Sequence, residues 1–156
     1  MRQFPLARLV CEQSYKPFAD ELASGGLQVV ADASESGARY PVVLVLPPRQ
    51  REEARALFAR ALSLCAPGGV VVASITNNEG AKSGEGDFKQ LAGLGGSLTK
   101  NHCRVFWSKP LDCAHDAALL AQWTKLDAPR PIMDGRFTSR PGVFAWDRID
   151  PASALL

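Results

Sequence analysis

Hydrophobic residues gather in two short unbroken runs, Val42 to Leu46 and Val70 to Ile75, with a longer periodic stretch between them. Apolar runs of this length, rich in β-branched residues and without polar alternation, predict strands covered on both faces. From about Arg49 to Ala66, the residues Ala54, Leu57, Phe58, Ala61, Leu62 and Cys65 recur at three- and four-residue steps. Arg51, Glu52, Arg55, Arg60 and Ser63 fall mostly on the other side, so the spacing predicts an amphipathic helix. Strand, helix, strand in this order predicts parallel pairing through a right-handed crossover. The core is therefore read as an α/β fold on a mostly parallel sheet.

The flanks are read in the same way. A short helix over 15–24, ended by Gly25-Gly26, leads to a brief strand over 27–31 and a polar loop over 34–39. After Ile75 the polar stretch Asn77 to Gly84 follows the C-terminal end of a predicted parallel strand, where open α/β sheets usually bind ligands. A helix over 85–92 is followed by two short extended pieces, 97–101 and 103–108, which suit an antiparallel edge pair. Asp112 is the expected cap of a helix whose shared face carries Leu119, Leu120, Trp123 and Leu126. Residues 127–148, rich in Pro, Gly and Arg, read as a connecting segment with one short hairpin. Asp150-Pro151 then starts a further helix, and so short a helical start reads as the front of a longer protein.

Composition narrows the class. A chain of 156 residues, 46% hydrophobic and 22% charged, is large enough for one buried core without disulfides or metal. No apolar run approaches the roughly 20 residues of a spanning helix, and the N-terminus lacks a signal-peptide pattern, so the expectation is a cytoplasmic protein without a membrane partner. With 18 basic and 16 acidic residues, the charge balance does not by itself point to nucleic acid. The four cysteines, Cys11, Cys65, Cys103 and Cys113, have no close pairing and read as reduced, mostly buried thiols.

Candidate chemistry is sparse. Gly80-Ala81-Lys82-Ser83 lacks the glycines of a phosphate loop, because Ala81 and Thr76 occupy their places. His102, Cys103, Cys113 and His115 lack zinc-ligand spacing, and core cysteines with two ordinary histidines are the better reading. No acidic, glycine-rich cofactor loop follows any predicted strand. Accordingly no catalytic, cofactor-binding or metal residue is assigned. Basic side chains on the central helix and in the tail are the remaining candidates, as RNA contacts: Arg49, Arg51, Lys82, Arg136 and Arg140.

The stretch Gly135 to Leu156, with its Pro141-Gly142-Val143-Phe144, Asp150 and Leu155-Leu156, resembles the linker before the catalytic domain in the "methyltransferase small" family. The nearest resemblance is to two-domain small-subunit ribosomal RNA guanine-N2 methyltransferases, and Asn77 to Ser83 is similar to a loop of their N-terminal domains. The resemblance implies a degenerate Rossmann-like, class I methyltransferase-like three-layer fold over 1–126, with an antiparallel edge. It implies that 127–156 is a linker and the start of a missing catalytic domain that binds S-adenosylmethionine. In the family, an Asn-Pro-Pro-aromatic motif positions the guanine amino group; Leu46-Pro47-Pro48-Arg49 stands in its place. Leu46 has no side-chain acceptor and Arg49 no flat apolar face for an extruded base, so this copy is expected not to methylate. The implied role is a non-catalytic N-terminal part that supports the catalytic domain and helps dock ribosomal RNA or the small subunit. Cofactor is then absent from this part and S-adenosylmethionine belongs to the parent protein. A surface left bare by the missing domain is a site for self-association as a homodimer. The competing readings are a self-contained small-molecule enzyme using the Asn77 to Ser83 loop, and a purely structural scaffold.

Overall fold

The structure is a computed structural model that describes residues 5–112 and 115–155. It divides into two compact units, Met1–Arg39 and Tyr40–Leu156.

In the first unit, β1 (Val10–Glu12) and β2 (Gln28–Val30) pair in parallel around α1 (Lys16–Ser24). Pro17 stands in the first turn of α1, where its missing N–H costs nothing, and Gly25 and Gly26 end the helix. The Glu12 carboxylate accepts a hydrogen bond from the Ala33 N–H, which ties the loop after β2 back to β1.

The second unit carries the core. Its sheet has the order β3-β4-β6-β5, with β3 at Tyr40–Val45, β4 at Cys65–Thr76, β5 at Gly96–Lys100 and β6 at Cys103–Trp107. The β3–β4 pair is parallel, while β4–β6 and β5–β6 are antiparallel, so the sheet is mixed. The crossover helix α2 (Arg51–Leu64) begins where Gln50 caps it by accepting from the Glu53 N–H. Helices α2 and α3 (Ala81–Ala92) lie on one face of this sheet, and α4 (Ala117–Trp123) packs on α2. Phe58, Phe88 and Phe106 meet edge-on at 5.2–6.1 Å between ring centres and, with Val71, Ala73, Ile75 and Trp123, fill the core. The alternate residues of β3 point the other way: Val42 and Leu44 are 56% and 68% exposed, so that strand is covered on one face rather than both.

Several boundaries move for physical reasons. β4 starts at Cys65, because Cys65 pairs with Tyr40 and a bulge takes up Ala66 to Gly69 before Val70 meets Val42. α3 starts at Ala81, four residues before the expected start at Glu85, with Gly84 and Gly86 inside it. Gly84 is required there: a Cβ would collide with the Ile75 side chain, so its absence lets the helix lie close on β4. The cap of α4 is Asp116, whose carboxylate accepts from the Leu119 N–H at 2.9 Å, and not Asp112. Leu111 is still held in extended pairing with Gly68 and Gly69, which places Asp112 too early to cap.

The expected hairpin forms from β7 (Arg130–Ile132) and β8 (Phe137–Ser139). At the end of the chain, Asp150 does cap the following turn, accepting from the Ser153 N–H at 3.2 Å, but that turn is a single 3-10 turn.

Candidate functional site

β3 and β4 are parallel neighbours, with Val45 opposite Ala73, so the segments that leave them emerge at the same end of the sheet. One is Leu46-Pro47-Pro48-Arg49, which leads into α2; the other is Thr76 to Gly80, which leads into α3. Leu46 is 79% exposed and offers only hydrocarbon at this position. In the second segment, the Asn77 N–H donates to the His102 carbonyl and the Thr76 hydroxyl to the Glu79 carboxylate. Gly80, at φ +90°, then turns the chain into α3.

Arg49, Arg51 and Lys82 all sit at this end, where α2 and α3 begin. Cations at helix N-termini add to the positive end of each helix dipole; this costs helix stability and raises a potential that attracts anions. Arg49 and Lys82 are exposed. Arg51 is partly committed elsewhere: its guanidinium forks onto the Asp87 carboxylate of α3 with two hydrogen bonds of 2.8 Å. Arg55 makes a second fork on the same carboxylate at 3.0 and 2.8 Å, and its guanidinium lies 4.9 Å from the centre of the Trp123 ring. Burial pushes the Asp87 carboxyl up, but the hydrogen bonds and charges of Arg51 and Arg55 outweigh it and hold the group below its ordinary value. The same pairing raises Arg51.

The other two candidates lie in the tail. Arg136 closes the β7–β8 turn, 5.8 Å from the Phe137 ring centre. Arg140 is exposed and close enough to Glu53 of α2 to favour its charged form. Burial nevertheless raises the Glu53 carboxyl, with Asp127 adding in the same direction. Glu52, one residue earlier, binds Arg130, whose guanidinium also stacks 4.3 Å from the centre of the Trp146 ring.

Of the His/Cys residues, His102 lies in the β5–β6 turn at φ +60°, Cys103 starts β6, His115 is half-buried before α4, and Cys113 lies outside the described residues. Among the described residues, no group of three or more His, Cys, Asp or Glu side chains is placed to hold a metal ion. Cys65 is buried and its thiol is pushed up by that burial, which makes it a packing residue; Cys11 and Cys103 are half-buried. No helix among the described residues is long and apolar enough to cross a membrane.

Asp87 went unnoticed in the sequence, whereas Glu52 and Glu53 are the acids that sequence reasoning would pair with arginines. Asp87 lies 36 residues from Arg51, and nothing local marks a carboxylate that α3 buries against two arginines. Glu53 looks like any acid of a first helical turn until the tail folds over it.

No protein-family model matches the chain, and no curated protein matches it. Among solved structures, it resembles a T. thermophilus 16S rRNA N2 methyltransferase (RsmC), solved in complex with AdoMet and guanosine. The match has a TM-score of 0.69, 24% identity and 94% of this chain covered. The fold is that of class I methyltransferases. It is an α/β three-layer fold with a mixed sheet flanked by helices, and α2, α3 and α4 belong to one of its outer layers. The chain spans 40% of the T. thermophilus chain. An O-methyltransferase family protein from Burkholderia thailandensis matches with a TM-score of 0.48, 14% identity and coverage of 67% of this chain and 43% of that one.

Proposed function

We propose that this chain is the N-terminal, non-catalytic part of a cytoplasmic, S-adenosylmethionine-dependent ribosomal RNA guanine-N2 methyltransferase. In this reading 1–126 form a degenerate domain that supports the catalytic domain and helps dock RNA, and 127–156 are the linker and the start of the catalytic domain. The observation that carries the reading is the end of β3. There an exposed Leu46 stands where a methylating copy needs a side-chain acceptor for the guanine amino group, on a fold that matches 40% of a longer rRNA methyltransferase. The RNA-docking part is supported by Arg49, Arg51 and Lys82 at the two helix starts beside that position, with Arg136 and Arg140 in the tail.

Calorimetric titration with S-adenosylmethionine, run on this chain and on the full-length parent protein, tests the first half. Binding only by the parent is expected; millimolar or tighter binding by this chain would instead favour a self-contained enzyme. The second half is tested by RNA binding across a salt series. Charge reversal at Arg49 and Lys82 is expected to weaken binding for every RNA sequence and to lower the salt slope by about one for each phosphate no longer neutralised. An unchanged slope would reduce the chain to a structural scaffold.

A further inference from the structure

One glycine of α3 has no explanation in the packing. Gly84 must be glycine because Ile75 fills the space of its Cβ, but at Gly86, also inside the helix, a Cβ would meet nothing within 4 Å. Glycine in a helix is less stable than alanine, because it has more backbone freedom to lose, so this position gives up helix stability for no gain in packing. Gly86 is exposed, and its chain neighbour is Asp87, the carboxylate buried under two guanidinium groups.

Those two arginines use Asp87 differently. Both donate through Nε and one Nη, which keeps Nη1 of each off the carboxylate. The Arg55 guanidinium is mostly covered, with its side chain 27% exposed and the ring of Trp123 beneath it. Arg51 is 62% exposed, and among the described residues no group accepts from its Nη1. Two guanidinium groups on one carboxylate also leave the trio with a net positive charge. A buried anion thus fixes one edge of Arg51 while the other meets water, close to a stretch of helix that carries no side chain.

The geometry points to Arg51, held by Asp87 beside the bare backbone of Gly86, as a binding site for a phosphodiester group of RNA. The free end of its guanidinium, with an N–H on each Nη, matches two phosphate oxygens, and an arginine already fixed by a fork loses less freedom on contact than a loose one. Asp87 is a positioning residue here: it touches no RNA and acts by aiming Arg51. The missing side chain at Gly86 lets the nucleotide chain lie against α3, and exposed Lys82, one turn earlier on the same face, adds to the attraction. This rests on the RNA-docking half of the functional reading above, and it names what that surface takes: backbone phosphate, not a base edge.

The test is fluorescence anisotropy of the 156-residue chain with a labelled RNA hairpin across a salt series, beside thermal melting of each variant. Gly86→Gln puts a long neutral side chain into the open space and is a better helix former, so it is expected to raise the melting temperature while weakening RNA binding about threefold or more. A structural role for this position moves both readings the same way. Arg51→Lys is expected to weaken binding about fivefold or more, because an ammonium keeps the charge but cannot grip Asp87 with one edge and phosphate with another. Wild-type affinity in either variant overturns the site and leaves RNA docking to Arg49, Lys82, Arg136 and Arg140. A chain that binds no RNA even at low salt removes the RNA-docking half of the functional reading, and this site with it. If, without RNA binding, inorganic phosphate raises the melting temperature of the wild type and not of Arg51→Ala, the site is one for free phosphate and the proposal fails.

Discussion

Replacing Asp87 by Ala should be among the most damaging single changes outside the aromatic core. Its side chain is 7% exposed and accepts four hydrogen bonds from two guanidinium groups, one of them 62% exposed and the other 27%. Breaking a fully buried ion pair from one side costs roughly 3–5 kcal/mol, because the partner is left without its counter-charge. Arg51 is free to turn into water, so its share is screened and small; Arg55, packed over Trp123, is not. The expected loss is therefore about 2–3 kcal/mol, borne mostly by the Arg55 half.

Urea unfolding of wild type, Asp87→Ala and Asp87→Asn across pH measures it. The Asp87 carboxyl is lowered in the folded state, so its contribution is present above the unfolded value of about 3.9 and is lost as pH falls through the folded value. The gap between wild type and Asp87→Asn should thus be full at pH 7 and close in acid. A gap below about 0.5 kcal/mol at pH 7, or one that does not change with pH, would refute the claim that two charge-assisted forks hold α2 to α3.

Three further outcomes follow from the packing. Gly142→Ala places a methyl group against the Glu53 carboxylate at a positive φ, and should free the tail at a cost of about 1–3 kcal/mol, seen as protease cleavage within 127–148 while the core melts separately. Glu53→Gln should stabilise the chain at pH 7 and do nothing near pH 4, because the raised carboxyl contributes stability below its unfolded value that is lost as pH rises through the folded one; equal melting shifts at both pH values would contradict this. Phe106→Ala removes the ring that touches both Phe58 and Phe88 and should cost about 3–5 kcal/mol in denaturant unfolding.

The periodicity of the chain was enough to locate β3, α2 and β4 and their parallel crossover, because apolar spacing reports directly which faces must leave water. It also located the β5–β6 pair, the β7–β8 hairpin and the Asp150 cap, all set by local turn and capping chemistry. It failed where a distant segment supplied the reason. Gly84 looks like part of a polar loop until Ile75 is seen to need the space, and Asp112 looks like a cap until Leu111 is seen to be paired with Gly68 and Gly69.

The candidate site divides along the same line. Leu46 is legible in the sequence, since a side chain either has an acceptor or lacks one. Which arginines remain available is not. Arg51 and Arg55 are alike in sequence, and only the tertiary structure brings both onto Asp87. Ala56, four residues from both Glu52 and Arg60, shares their side of α2, yet it is 3% exposed. The sequence encodes each element's own hydrophobic face; only the folded chain, by laying the tail across α2, decides which polar face is covered as well, because that cover is made of contacts between residues some 80 positions apart.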